Sequence, residues 1–134
     1  MAVPDVTGVK QHVIPAATVL VVRERNGMEV LMAQRSDRGM FANALVFPGG
    51  VLEDDDRSGE WLPHLTNHEE LPDLERALRI AGLREVWEET GLSVCTTGPD
   101  LGLPPQSVSA DVFRGLVKKN RSKLALDELI PFSN

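Results

Sequence analysis

The sequence predicts an α/β domain, and three observations carry that prediction. An apolar, β-branched run with a turn and a return opens the chain: "AATVLVVRE" (16–24), "RNG" (25–27) and "MEVLMAQ" (28–34) form a hairpin signal. A long helical pattern starts near Asp73 and stops at Gly91. Strand-like and helix-like segments then follow, "LSVCT" (92–96) and "SADVFRGLVKKN" (109–120).

The elements follow in chain order. "VIPAATVLVV" (13–22) reads as a buried strand and not as a signal core. Pro15 interrupts it, and "RERNG" stands where a cleavage site would be needed. Residues 35–45 hold no sustained period and read as a loop, and "VFPGG" (46–50) is a short apolar run ending in a turn. Residues 51–72 are acidic and irregular. They read as an excursion that leaves after Gly50 and returns at Asp73, with Trp61 and Leu62 as apolar anchors and mostly exposed acidic side chains. Asp73 suits an N-cap, and Glu75 suits the positive end of the helix dipole. Gly91 suits the C′ position, with Leu92 folding back on Trp87. In 109–120 the spacing puts Val112, Leu116 and Val117 on one side. "LALDELIPFSN" (124–134) reads as a turn from helix to strand.

Length and composition bound the function. The 134 residues fit one domain, 1–134, and 42% hydrophobic residues supply a core. The net charge of −6 argues against bulk nucleic-acid binding, which needs a basic face. A small anionic substrate remains open, because a bound cation reverses the local sign. The single Cys95 allows no internal disulfide, so a reducing, cytoplasmic setting is expected. No stretch approaches the roughly 20 apolar residues of a membrane span, so no membrane partner is expected.

Three minor features read as structural. His64 and His68 share a helical spacing but lack a third ligand partner. Cys95 follows apolar residues and reads as a buried thiol. "VKKNRSK" (117–123) matches the negative end of a helix dipole.

The chemistry concentrates in "REVWEETGL" (84–92), where Glu85, Glu88 and Glu89 stand beside Arg84. At 100° per residue the three glutamates fall within an arc of about 100°. Leu74, Ala77, Leu78, Ala81 and Gly82 lie on or near that arc, and Ile80, Leu83 and Trp87 form a second stripe. The helix is therefore expected between layers. A solvated acidic end is the simpler alternative for the cluster. Against it, the carboxylates continue a stripe that heads into the protein. They also sit at a helix C-terminus, where the dipole disfavours anions. Half-buried, two carboxylates about 6 Å apart repel by about 3 kcal/mol at an effective dielectric near 20. Protonation or a cation would relieve this, and all-oxygen ligands of that charge suit Mg²⁺ or Mn²⁺.

These residues resemble the Nudix box, G-x5-E-x7-R-E-U-x-E-E-x-G-U with U aliphatic. Arg84, Glu85, Val86, Glu88, Glu89, Gly91 and Leu92 match every specified position of its second half. The first half departs from the pattern. Six positions beyond Gly50 stands Asp56 in place of glutamate, and residues 57–83 separate it from Arg84 where the pattern has seven. An insertion within the box, near 54–72, accounts for this.

The resemblance implies an α/β/α sandwich with a mixed sheet. It also implies metal-assisted hydrolysis of a diphosphate in a nucleoside diphosphate derivative. Glu85, Glu88 and Glu89 would be ligands, with one of them as a candidate base, and Arg84 would orient a carboxylate. Gly49 would offer a carbonyl to the metal, and Asp56 would join the metal set. Gly50 with Arg35 and Arg38 would face substrate, although the two arginines read equally well as solvated loop residues. A box insertion also resembles the subgroup related to peroxisomal coenzyme A diphosphatases. Arg35, Ser36, Phe47, Pro48, Gly49 and Gly50 fit its coenzyme A signature, while Met40 and Ala44 replace an expected arginine and glycine. Coenzyme A compounds are thus the first substrate expected. A nucleotide-sanitising pyrophosphatase and a non-catalytic nucleotide-binding module are the alternatives.

Domains of this kind carry further strands after the box. The chain is therefore expected to be a fragment whose sheet is incomplete on its C-terminal side, with an unpaired edge there that invites a second copy into a homodimer. Such a fragment would bind metal and turn over slowly. Turnover and light-scattering mass, compared with those of a natural C-terminal extension, check this; full activity in a monomer would contradict it.

Overall fold

The computed structural model describes residues 13–34, 44–105 and 108–132. The N-terminal portion consists of short antiparallel ladders. β1 (Ala16–Thr18) pairs with β6 (Gly49–Val51), β2 (Val22–Glu24) with β3 (Met28–Val30), and β4 (Ala33–Gln34) with β5 (Leu45–Val46). The β2–β3 hairpin turns where the sequence predicts it. Asn26 and Gly27 both have positive φ, which an Asn-Gly turn supplies at little strain.

Two 3-10 turns follow, Asp54–Arg57 and Gly59–His64, and then β7 (Leu65–Thr66). The excursion over 51–72 therefore has structure of its own. Trp61 anchors it and is fully buried, whereas Leu62 stays 39% exposed. The expected pair of anchors is thus a single anchor, because the tight turn points neighbouring side chains in different directions. Most of its acids are exposed, as expected, while Asp56 is completely buried.

α1 (Asp73–Thr90) is the central helix. Its N-cap is Pro72 in an extended conformation, and Asp73 is the first helical residue, paired with Arg76 at 3.2 Å. At the other end Gly91 adopts φ 78° and donates its N–H to the Trp87 carbonyl. Leu92 remains largely exposed, and it is Leu103 that lies against Gly91. Ala77, Ile80, Ala81, Gly82, Leu83, Val86 and Trp87 are all buried, so the helix is enclosed on more than one side as its two stripes require.

β8 (Thr96–Thr97), α2 (Ala110–Lys119) and β9 (Lys123–Ala125) complete the order, and a 3-10 turn (Leu126–Glu128) ends it. β9 is central in a mixed three-stranded sheet, parallel to β7 and antiparallel to β8. Several expectations shift here. The strand expected at 92–96 begins only at Thr96, because Cys95 turns the chain with φ 52°. Residues 124–132 run from strand to 3-10 turn, the reverse of the expected order. Among the described residues the last strand, β9, is paired on both sides, and β7 and β8 form the edges of this sheet. In α2 the buried face is Ala110, Phe113 and Val117, while Val112 is exposed. Phe113 has the larger apolar area, and its i−3 and i+4 neighbours follow it inward.

The main core lies where α1, α2 and the mixed sheet meet. It joins Trp61, Leu65, Ile80, Leu83, Trp87, Phe113, Val117, Leu124 and Leu126. Phe113 stands between two tryptophans, with ring centroids 5.6 Å from Trp61 and 5.5 Å from Trp87. The opposite side of α1 carries small residues, and a Cβ at Gly82 would come within 2.8 Å of Val19 Cγ2. That closeness sets α1 directly on the β1–β6 ladder.

Replacing Trp61 with Ala is expected to cost about 3–5 kcal/mol of stability. Leu62→Ala should cost less than about 1 kcal/mol. Urea unfolding followed by circular dichroism checks both.

Candidate active site

Three turns into α1, Arg84 points inward, and its side chain is 1% exposed. A buried cation needs full pairing, and it has it. Asp56, fully enclosed, accepts from Arg84 Nη2 at 2.9 Å and from Nε at 3.3 Å. The Val51 carbonyl accepts from Nη2 at 3.3 Å. Nη1 faces Glu53 at 2.8 Å, Glu85 at 2.9 Å and Glu88 at 3.7 Å. Burial by itself would ease the proton off Arg84. The hydrogen bond and charge of Asp56, then the charges of Glu85 and Glu53, outweigh burial and hold its pKa above the ordinary value.

The three glutamates stand differently. Burial raises the pKa of Glu85 most, Arg84 opposes that, and the charges of Glu53 and Asp56 add to it. Glu88 is raised first by burial and then by Glu85. Glu89 is raised by burial and by Glu85, and the backbone N–H of Gly49 opposes the shift. The glycine turn and the helix therefore meet. A Cβ at Gly50 would collide with the Glu85 carboxylate, and one at Gly49 would come within 2.5 Å of the Ala17 carbonyl oxygen.

A family profile described as the NUDIX domain matches residues 13–123. The chain belongs to the NUDIX domain family. Acyl-coenzyme A diphosphatase NUDT19 of Xenopus laevis is 30% identical to it, over 48% of this chain and 24% of that protein. The crystal structure of a NUDIX hydrolase from Alicyclobacillus acidocaldarius superposes with a TM-score of 0.51 at 24% identity, covering 83% of this chain and 51% of that one. The latter likeness speaks for the fold. The chain spans about a quarter of the curated relative and about half of the crystallised chain.

Within this Nudix chain, Arg84, Glu85, Glu88, Glu89, Gly49, Gly50 and Asp56 are brought to one place. Arg35 and Arg38, expected at the phosphates, lie outside the described residues, as does Ser36. Asp56, expected in the metal set, has both carboxylate oxygens engaged within the protein. One of its oxygens is taken by Arg84 Nε, and the other by Nη2 and by the Glu53 N–H at 2.8 Å. Enclosed in this way, it acts as the counter-ion of Arg84. Glu53 was not marked by the sequence pattern; only its place in the acidic run "LEDDD" was visible there, and the turn it opens appears in the structure.

A divalent cation fits the donors in type, since Glu85, Glu88 and Glu89 supply hard, anionic oxygens in half-buried positions. Among the described residues no three His, Cys, Asp or Glu side chains already converge as a coordination cluster. Glu85 and Glu88 are instead turned toward Arg84. His64 and His68 join no such group, and burial first of all lowers the pKa of His64. Cys95 is half-buried, with its thiol pKa raised chiefly by burial. No described helix is long and apolar enough to cross a membrane.

The pH dependence follows from the raised glutamates. A carboxyl with a raised folded pKa favours the folded state in acid, and that contribution is lost as pH rises through the raised value. Without divalent cations, Glu89→Gln is therefore expected to be more stable than the parent at pH 7. The difference should shrink as pH falls through the raised value toward the ordinary 4.5 and be gone below it. Thermal midpoints across a pH series in chelator check this.

Proposed function

We propose that this chain hydrolyses a diphosphate linkage in a nucleoside diphosphate derivative, with coenzyme A or acyl-coenzyme A favoured and with Mg²⁺ or Mn²⁺ held by Glu85, Glu88 and Glu89. The observation that carries the proposal is the meeting of these glutamates with the Gly49–Gly50 turn around a fully paired Arg84. The cation would supply charge neutralisation at the phosphate oxygens and activation of water.

The chain's own residues supply position. Arg84 is held from below by Asp56 and orients Glu85. The Gly49 N–H opposes the raised pKa of Glu89, and the Gly49 carbonyl would offer the cation a further oxygen. Gly50, lacking a side chain, leaves room for Glu85. One of the three glutamates accepts the proton of the attacking water, and burial makes it a better base than a surface glutamate. Arg35 and Arg38 are the proposed phosphate contacts from the preceding loop. The favoured substrate rests on the signature around Phe47, Pro48, Gly49 and Gly50 and on the activity for which the Xenopus laevis relative is named.

Mass-spectrometric product analysis over a panel of diphosphates with Mg²⁺ tests the proposal. Cleavage of coenzyme A compounds ahead of nucleoside triphosphates is expected. The reverse order would support the sanitising pyrophosphatase, and binding without products would support a nucleotide-binding module. Glu88→Gln should lower kcat on the order of a hundredfold, the scale of removing one transition-state stabiliser. Parent-like turnover in that variant would place the site elsewhere.

A further inference from the structure

Glu53 lies outside the box glutamates, yet it holds the same arginine nitrogen that they use. Its Oε2 is 2.8 Å from Arg84 Nη1, which also faces Glu85 Oε1 at 2.9 Å and Glu88 Oε2 at 3.7 Å. Glu85 accepts a hydrogen bond from Nη1, while Glu53 and Glu88 face the same nitrogen as ion-pair partners. Negative charge that Glu53 supplies there is not demanded of Glu85 or Glu88.

Glu53 is also held from its other side. Its Oε1 accepts from the Ala110 N–H, at the first residue of α2, at 3.3 Å, and its own N–H is bound to Asp56. α2 is tied to the same segment by Arg114, which meets Asp55 at 3.0 Å and Glu60 at 3.0 Å. Glu53 is thus fixed to a rigid support, whereas Glu88 has only a loose contact with Arg84. A cation that drew both Glu85 and Glu88 away would leave Arg84 Nη1 without a partner unless Glu53 remained. Unmet donors on a buried guanidinium are costly even where Asp56 still holds its other side.

We propose that Glu53 is a positioning residue that keeps the Nη1 side of Arg84 paired while Glu85 and Glu88 turn to a divalent cation, with α2 holding Glu53 in place. The inference rests on the reading of Glu85 and Glu88 as ligands. Glu53→Gln retains an oxygen for the Ala110 N–H but removes the charge facing Arg84. Mn²⁺ affinity, measured directly by electron paramagnetic resonance, should fall about tenfold, equivalent to about 1.4 kcal/mol. Asp54→Asn removes an equal charge next door from an exposed side chain, and it should change affinity less than about twofold. Arg114→Ala loosens only the support and should weaken Mn²⁺ in the same direction by a smaller factor. It keeps the test open if Glu53→Gln fails to fold.

Unchanged Mn²⁺ affinity in Glu53→Gln, with a lowered thermal midpoint, would reduce Glu53 to a structural residue and overturn the inference. So would an equal loss in Asp54→Asn. If Glu88→Gln abolishes Mn²⁺ binding while Glu53→Gln does not alter it, the ligand reading survives and the inference falls. A parent chain that binds no Mn²⁺ overturns both.

Discussion

A buried guanidinium governs this structure. Removing Arg84 from water costs several kcal/mol unless its donors are met. Meeting them dictates where Asp56, Glu53 and the Val51 carbonyl must lie. The acidic excursion after β6 is therefore not free to drift, however long it is. Its first turn is pulled against α1 by charge, and Trp61 then closes it against Phe113 by apolar packing. The excursion is thus held at its start by charge and at its middle by apolar packing.

Close approach is the second requirement. The glycine turn reaches the glutamates because Gly49 and Gly50 carry no side chain where β1 and Glu85 press against them. Gly82 has the same role on the preceding turn of α1, against Val19. Small residues on one face of the helix and large ones on the other let it serve as a hinge line between the ladder that bears the turn and the core that bears α2 and β9. The site sits on that line, so its geometry depends on both sides.

The carboxylates around Arg84 are a crowded anionic set with one cation among them. Their raised proton affinity has the same origin as their proposed use, because half-buried oxygens that repel one another hold either protons or a metal more readily than surface acids do. The arginine restrains the repulsion without cancelling it, which is why the three carboxyls stay raised.

Local information in the sequence determined a good deal. "REVWEETGL" declared the family, Gly91 the end of α1, and Asn26–Gly27 the hairpin, because motif spacing, a left-handed cap and a tight turn each lie within a few residues. The enclosure of α1 was legible from its two stripes. Long-range pairing was not. Asp56 was marked as a ligand by counting from Gly50, and only the fold showed that its oxygens belong to Arg84. Glu53 was invisible as a partner because Arg84 and Ala110 reach it from distant stretches of the chain. Val112 and Phe113 could each have led α2 inward, and the space between Trp61 and Trp87 chose the phenylalanine. Sequence pattern states which side chains a segment offers. Burial and charge compensation, which need the whole chain in place, decide which of them meet.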